Sequence, residues 1–181
     1  MALKSTIFKA NLQVSDMDRS HYGSHVLTLA RHPSETDERM MVRLLAFALN
    51  ASDALAFGNG LSADDEPDLW QKDLTGSIEL WLDVGLPDEK LVRKACGRAG
   101  RVIVYAYGGR AAEIWWNQSR PKLERIANLT VIGIRQESTR ALAELAQRSM
   151  QLQCIIQDGT VLFSGGDETV SVMLEQIKAP D

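Results

Sequence analysis

Residues Asp64 to Gly108 read DDEPDLWQKDLTGSIELWLDVGLPDEKLVRKACGRAGRVIVYAYG, and the order of patterns in this stretch decides the fold class. An acidic turn comes first. Asp68 to about Lys72 is expected as a short strand, Asp73 to Gly76 as a turn and Ser77 to Gly85 as a longer strand. A helix follows over 87–99, with Pro87 in its first turn, where the missing N–H has no helical partner to lose. Gly97 or Gly100 helps to end it. Arg101 to Gly108 is a dense apolar run of the kind found in strands covered on both faces. Strand, helix and strand over 77–107 therefore make a βαβ unit.

The flanking chain fits the same class. Residues 4–14 and 23–31 alternate apolar and polar side chains, as half-buried strands do, and are joined through the polar SDMDRSHY. His32-Pro33-Ser34 stops the second strand. Ser34 with Asp37 resembles a capping box, so a helix is expected from about 35 to 50 with Met41, Leu44, Leu45 and Ala48 as its apolar stripe. Gly58-Asn59-Gly60 opens a loop running through Asp64, Asp65 and Glu66. Helices are expected over 110–118 and 121–127, on either side of Pro121. A strand at 129–135, a helix at 137–149 and strands near 152–157, 160–164 and 169–174 complete the chain. With no internal repeat and no linker, the expectation is one continuous domain of mixed α/β structure.

Length and composition bound the function. The chain has 181 residues, enough for a substantial core. No apolar run approaches the roughly 18 residues of a membrane span, and the first residues lack the apolar stretch of a secretory signal, so a cytoplasmic protein is expected. Cys96 and Cys154 sit inside patterned segments and read as buried free thiols. The net charge of −4 argues against a protein that coats nucleic acid nonspecifically. The distribution is uneven. Residues 53–89 carry ten Asp or Glu and one Lys, whereas 90–125 carry nine Lys or Arg and two Glu. Either two solvated faces segregate, or an acidic metal-binding rim lies beside a phosphate-attracting one.

Alternation along the strand at 77–85 puts Ile78, Leu80, Leu82 and Val84 on one face and Glu79, Trp81 and Asp83 on the other. A hairpin turning at Asp73–Gly76 pairs Asp68 with Trp81. Asp83 then lies diagonally across, within about 7–8 Å. Two carboxylates at that spacing can hold one Mg²⁺ or Mn²⁺, although each alone also reads as a turn former or a helix cap. Glu38, in the first helix, is a third acidic candidate, or simply a first-turn acid matched to the helix dipole. The helix after Gly85 returns across the sheet at about 1.5 Å per residue. Residues Lys90 to Lys94 thereby come back beside Asp83, and Lys94 flanks the buried face formed by Leu91, Val92, Ala95, Cys96 and Ala99.

Other signals carry less. The spacing of His21, His25 and His32 matches no helical histidine pair, and a packed or surface role is expected. Gly58-x-Gly60 lacks the strand and the Lys-Ser/Thr of a phosphate loop. Trp115 and Trp116 sit in an apolar helix, where aromatics belong to a core or an interface.

The segments LTLARHPSETDERMMVRLLAFALNA, ADDEPDLW, WLDVGLPDEK, RKAC and IWWNQ closely resemble the bacterial YaeQ family, essentially end to end. That resemblance implies a compact single-domain α/β fold, a variant of the restriction-endonuclease-like PD-(D/E)xK architecture. It has a mixed β-sheet flanked by helices, an N-terminal hairpin and C-terminal strands. Pro67-Asp68 would match the first acidic motif of that superfamily and Asp83-Val84-Gly85 the second, with glycine in place of lysine. Lys94 would stand in for the missing lysine, and Glu38 would match an acid that some members contribute from the first helix. The implied function is a Mg²⁺- or Mn²⁺-dependent phosphodiesterase acting on nucleic acid. The alternative is a non-catalytic scaffold that binds a macromolecular partner, which the glycine at 85 and the acidic net charge favour.

Overall fold

The computed structural model of the protein describes residues 4–59 and 65–181. In chain order the elements are β1 (Thr6–Asp16), β2 (His21–Arg31), α1 (Asp37–Leu49), β3 (Leu55–Phe57), β4 (Leu69–Lys72), β5 (Ile78–Val84), α2 (Glu89–Arg98) and β6 (Ala99–Ala106). Then come α3 (Arg110–Leu123), β7 (Leu129–Ile134), α4 (Gln136–Ala143), β8 (Ser149–Gln157), β9 (Thr160–Gly165), β10 (Glu168–Val172) and β11 (Leu174–Lys178). The α/β class, the N-terminal hairpin and the C-terminal strands are as expected. The strands divide into two mixed sheets rather than one, and the chain packs as two compact units. Residues 60–64 of the acidic loop, and the first three residues, lie outside the described residues.

The first unit comprises Met1–Asp53 and Glu137–Met173 and holds the sheet β10-β9-β8-β1-β2. β1 and β2 form an antiparallel hairpin from Thr6↔Arg31 to Asp16↔His21, and β8 lies parallel to β1. Phe8, Ala10, Leu12 and Val14 point inward along β1 with the period of two that a one-sided strand requires. α1 packs on β1. Its cap is Thr36, whose hydroxyl accepts from Arg39 N at 3.1 Å, and not the expected Ser34, whose hydroxyl is engaged with His32. Burial runs unbroken from Met40 to Ala48, wider than the expected stripe, and takes in the charged Arg43, which is paired with Glu35. α4 ends at Ala143, six residues short of the expected helix.

The second unit comprises Ala54–Gln136 and Leu174–Asp181, with the sheet β11-β7-β6-β5-β4-β3. β5, β6 and β7 are parallel, so the expected βαβ unit is present, and a second one runs through α3. α3 is one helix, because Pro121 falls in its last turn, where few residues remain to be disrupted. Trp81, Val102, Val104 and Val131 from the sheet meet Val92 and Ala95 of α2 and Leu123 of α3 in one apolar cluster. Trp115 and Trp116 pack against it, which gives them a core role. Leu91 is 40% exposed and does not belong to the buried face assigned to it from sequence. Among the described residues no helix is long and apolar enough to cross a membrane.

Candidate functional site

The β4–β5 hairpin turns through a three-residue loop: Asp73 N donates to Ser77 O at 2.9 Å, and Gly76 adopts φ +87°. A positive φ at that position suits glycine. The Asp73 carboxylate accepts from Thr75 N and Ser77 N at 2.8 and 3.0 Å, which ties the loop together. A bulge between Gln71 and Lys72 then leaves Glu79 outside the strand register, its carboxylate accepting from Gln71 Nε2 at 2.8 Å. Trp70 faces Trp81 and Leu69 faces Leu82. Continuing one step places Asp68 across from Asp83, directly rather than diagonally.

The two acids are locked to the ends of these strands. Asp68 is only 7% exposed. Its Oδ2 accepts from Val84 N at 2.8 Å, and its own N–H points at Asp83 Oδ1 at 3.4 Å. Asp83, half-buried, accepts at Oδ2 from Trp81 Nε1 at 2.9 Å. Charge-assisted donors of this kind fix a carboxylate's orientation. Behind Asp68 lies Gly58, which sequence reading took as the opening of a loop without the marks of a phosphate loop. A Cβ on Gly58 would stand 2.0 Å from Pro67 O, and Gly58 N donates to Asp68 O at 2.9 Å. Only a residue without a side chain lets the chain after β3 run this close to the acid.

Lys94 is placed elsewhere. Its side chain is 59% exposed, its ammonium pairs with Asp65 at 2.9 Å, and neither Asp68 nor Asp83 is among its partners. The Lys94 hydrogen bond and charge hold the Asp65 carboxyl below its usual range. Lys90 is exposed on the first turn of α2. Gly85 has φ +98°, a conformation in which a lysine would be strained, while its N–H donates to Tyr105 O at 2.9 Å as part of the parallel ladder. Glu38 belongs to the first unit, where its Oε2 accepts from the buried Thr139 hydroxyl at 3.4 Å. Among the described residues no three His, Cys, Asp or Glu side chains cluster as a metal site.

The charge blocks of the sequence interlock in space. Glu89 pairs with Arg93 at 3.2 Å and with Lys122 at 3.0 Å, and Arg98 donates to Asp65 O at 2.9 Å while lying over the Trp81 ring. Among the described residues Lys90, Arg101, Arg110 and Arg125 make no ion pair. Cys96 lies within reach of the field of Asp83. Burial, reinforced by Asp83 and opposed by Lys178, pushes its thiol up to about 11. Burial likewise pushes Cys154 up to about 12; both thiols are free, as expected, but only Cys154 is buried, while Cys96 is half-buried.

The model of the YaeQ protein family matches residues 1–174. The chain belongs to the YaeQ family. An uncharacterised YaeQ protein of Salmonella typhi is 46% identical over 180 residues, 99% of each chain, and one of Escherichia coli (strain K12) is 45% identical over the same span. The crystal structure of a YaeQ protein from Xanthomonas axonopodis pv. citri superposes with a TM-score of 0.94 at 52% identity, covering 97% of this chain and 99% of that one. The YaeQ protein from Pseudomonas syringae gives 0.92 at 36% identity, with 97% of both chains covered. The α/β fold described here is thus the YaeQ fold.

Proposed function

We propose that this YaeQ-family chain is a divalent-metal-dependent phosphodiesterase of the restriction-endonuclease-like kind, acting on nucleic acid in the cytoplasm. One observation carries the reading: Asp68 and Asp83 face each other at the ends of β4 and β5, with the Asp68 N–H directed at the Asp83 carboxylate. Two carboxylates are a hard donor set suited to Mg²⁺ or Mn²⁺, cations that complete their shell with waters and substrate phosphate. The bound cation would polarise the phosphodiester and supply an activated water. Val84 N and Trp81 Nε1 keep the two acids aimed, and the N–H donors also soften the repulsion between like charges. The cationic groups of α2 and α3 attract the phosphate backbone. Lys94 serves this site only by leaving Asp65, an exchange that costs little for so exposed a pair.

A second reading, a non-catalytic scaffold for a macromolecular partner, draws on Gly85. Its positive φ makes the position unsuited to a strand lysine, and Lys94 has another partner. Calorimetric titration of Mg²⁺ and Mn²⁺ into wild type and Asp83→Asn separates the two. Binding by wild type that disappears in Asp83→Asn, together with metal-dependent cleavage of a mixed nucleic-acid substrate, supports the phosphodiesterase. Equal behaviour of the two proteins up to millimolar metal removes it and leaves the scaffold.

A further inference from the structure

The first unit contains a second pair of ligating side chains, of different chemistry. His21 and His25 both face the covered side of β2, with Gly23 between them. Cα atoms four residues apart on a strand are separated by about 13 Å, too far for upright imidazoles to meet. Here the rings lean toward each other over Gly23. Their centroids are 5.5 Å apart, their planes 18° apart, and the Nε2 atoms approach to 3.2 Å. A Cβ on Gly23 would lie 3.4 Å from His25 Nε2 and 3.5 Å from His21 Nε2, so the missing side chain makes the space in which they meet. Phe47 holds the His25 ring edge-on with a centroid distance of 5.1 Å.

In the neutral pair one Nε2 donates its proton to the other. The separation of the two nitrogens is that of a tetrahedral bite, and turning each ring by about 35° from this head-on contact directs both lone pairs at one cation. Nitrogens bound to Zn²⁺ at about 2.0–2.1 Å with a tetrahedral angle stand about 3.3 Å apart. Imidazole nitrogen selects Zn²⁺, Cu²⁺ and Ni²⁺, whereas a carboxylate pair selects Mg²⁺ and Mn²⁺.

We propose that His21 and His25 form a bidentate site for a transition-metal cation, Zn²⁺ or Cu²⁺, on the covered face of β2, with its other coordination positions open to water or an external ligand. The site is independent of the carboxylates of the second unit. Asp53 acts electrostatically on His25 and adds negative charge that favours a cation. On metal binding each ring carries its proton on Nδ1. The proton formerly shared between the Nε2 atoms transfers to the Nδ1 of its own ring, and no net proton is released.

Zn²⁺ is titrated calorimetrically, and Cu²⁺ by electron paramagnetic resonance, into the full chain and its variants, with folding checked by circular dichroism. Wild type and the control His32→Ala are expected to bind alike at this site, with Cu²⁺ showing coupling to two nitrogens. His21→Ala and His25→Ala each weaken binding by at least about 10-fold. Gly23→Val keeps both histidines, fills the space between them and weakens binding as well. Should an alanine variant fail to fold, His25→Gln replaces it. Undiminished affinity in the folded His25 variant, or no binding by wild type at millimolar Zn²⁺, overturns the proposal.

Discussion

In the first unit Glu35, 6% exposed, is enclosed by opposite charge: Arg43 Nη2 donates to one carboxylate oxygen at 2.5 Å and Arg39 Nη1 to the other at 2.7 Å. In the second unit Asp68, 7% exposed, faces another acid. The first arrangement surrounds a carboxylate with opposite charge and stitches α1 to the segment before it. The second sets two carboxylates face to face and gives each of them N–H donors: Val84 N to Asp68, and Trp81 Nε1 and Asp68 N to Asp83. A carboxylate enclosed by opposite charge serves the scaffold, while two facing carboxylates raise the cost of both being charged, and the proposed metal would relieve that cost.

The largest effect tests the closed side of this contrast. Glu35→Ala leaves two guanidinium groups facing an empty site, and urea unfolding is expected to show a loss of about 3–5 kcal/mol. Asp83→Asn, by contrast, keeps an acceptor for Trp81 and removes one of two like charges. Its urea midpoint in metal-free buffer should stay level or rise, and a large fall there would erase the distinction between the two sites. Next in size is Gly58→Ala. Its Cβ must displace Pro67 O, a backbone atom, from 2.0 Å, so a cost of about 1–3 kcal/mol is expected along with a weakened metal response. Unchanged stability and unchanged metal heat would show that Gly58 does not position Asp68.

The smallest effect concerns the Lys94–Asp65 pair. The Asp65 carboxyl titrates below its ordinary value, so the pair contributes above the ordinary carboxylate range and is lost as pH falls through the lower folded value. Carboxyl NMR titration should show the Asp65 midpoint move upward in Lys94→Ala, while the urea midpoint near neutral pH scarcely changes. No movement of the Asp65 midpoint would mean that Lys94 is free to serve the phosphate site without leaving a partner.

Asp68 and Asp83 were legible as neighbours for an instructive reason. The hairpin loop holds three residues where sequence reading expects four, and the bulge at Gln71/Lys72 adds a second one-residue shift. Each shift alone would move Asp68 to the opposite face. Together they restore the parity and bring the pair into direct opposition. The βαβ unit was legible because its cues, Pro87 and two apolar strand patterns, are local. The partner of Lys94 was not. A flexible side chain on an exposed turn reaches many positions, and its choice of Asp65 rests on a chain segment whose course sequence does not reveal. β3 and β11 were missed because edge strands of three and five residues form by pairing with neighbours rather than by their own periodicity.

The sequence by itself determined what short-range physics controls: the alternating strands, the helix between β5 and β6, the face shared by Trp81 and Asp83, and the family to which the chain belongs. The tertiary structure alone decided which strands share a sheet, that Thr36 rather than Ser34 caps α1, that Gly58 admits the chain beside Asp68, and that His21 and His25 meet over Gly23. Those outcomes depend on cross-strand register, on steric room at a missing side chain and on rotamers chosen by packing. Each of these is a property of residues brought together from distant parts of the chain, or of side chains whose direction only their neighbours select.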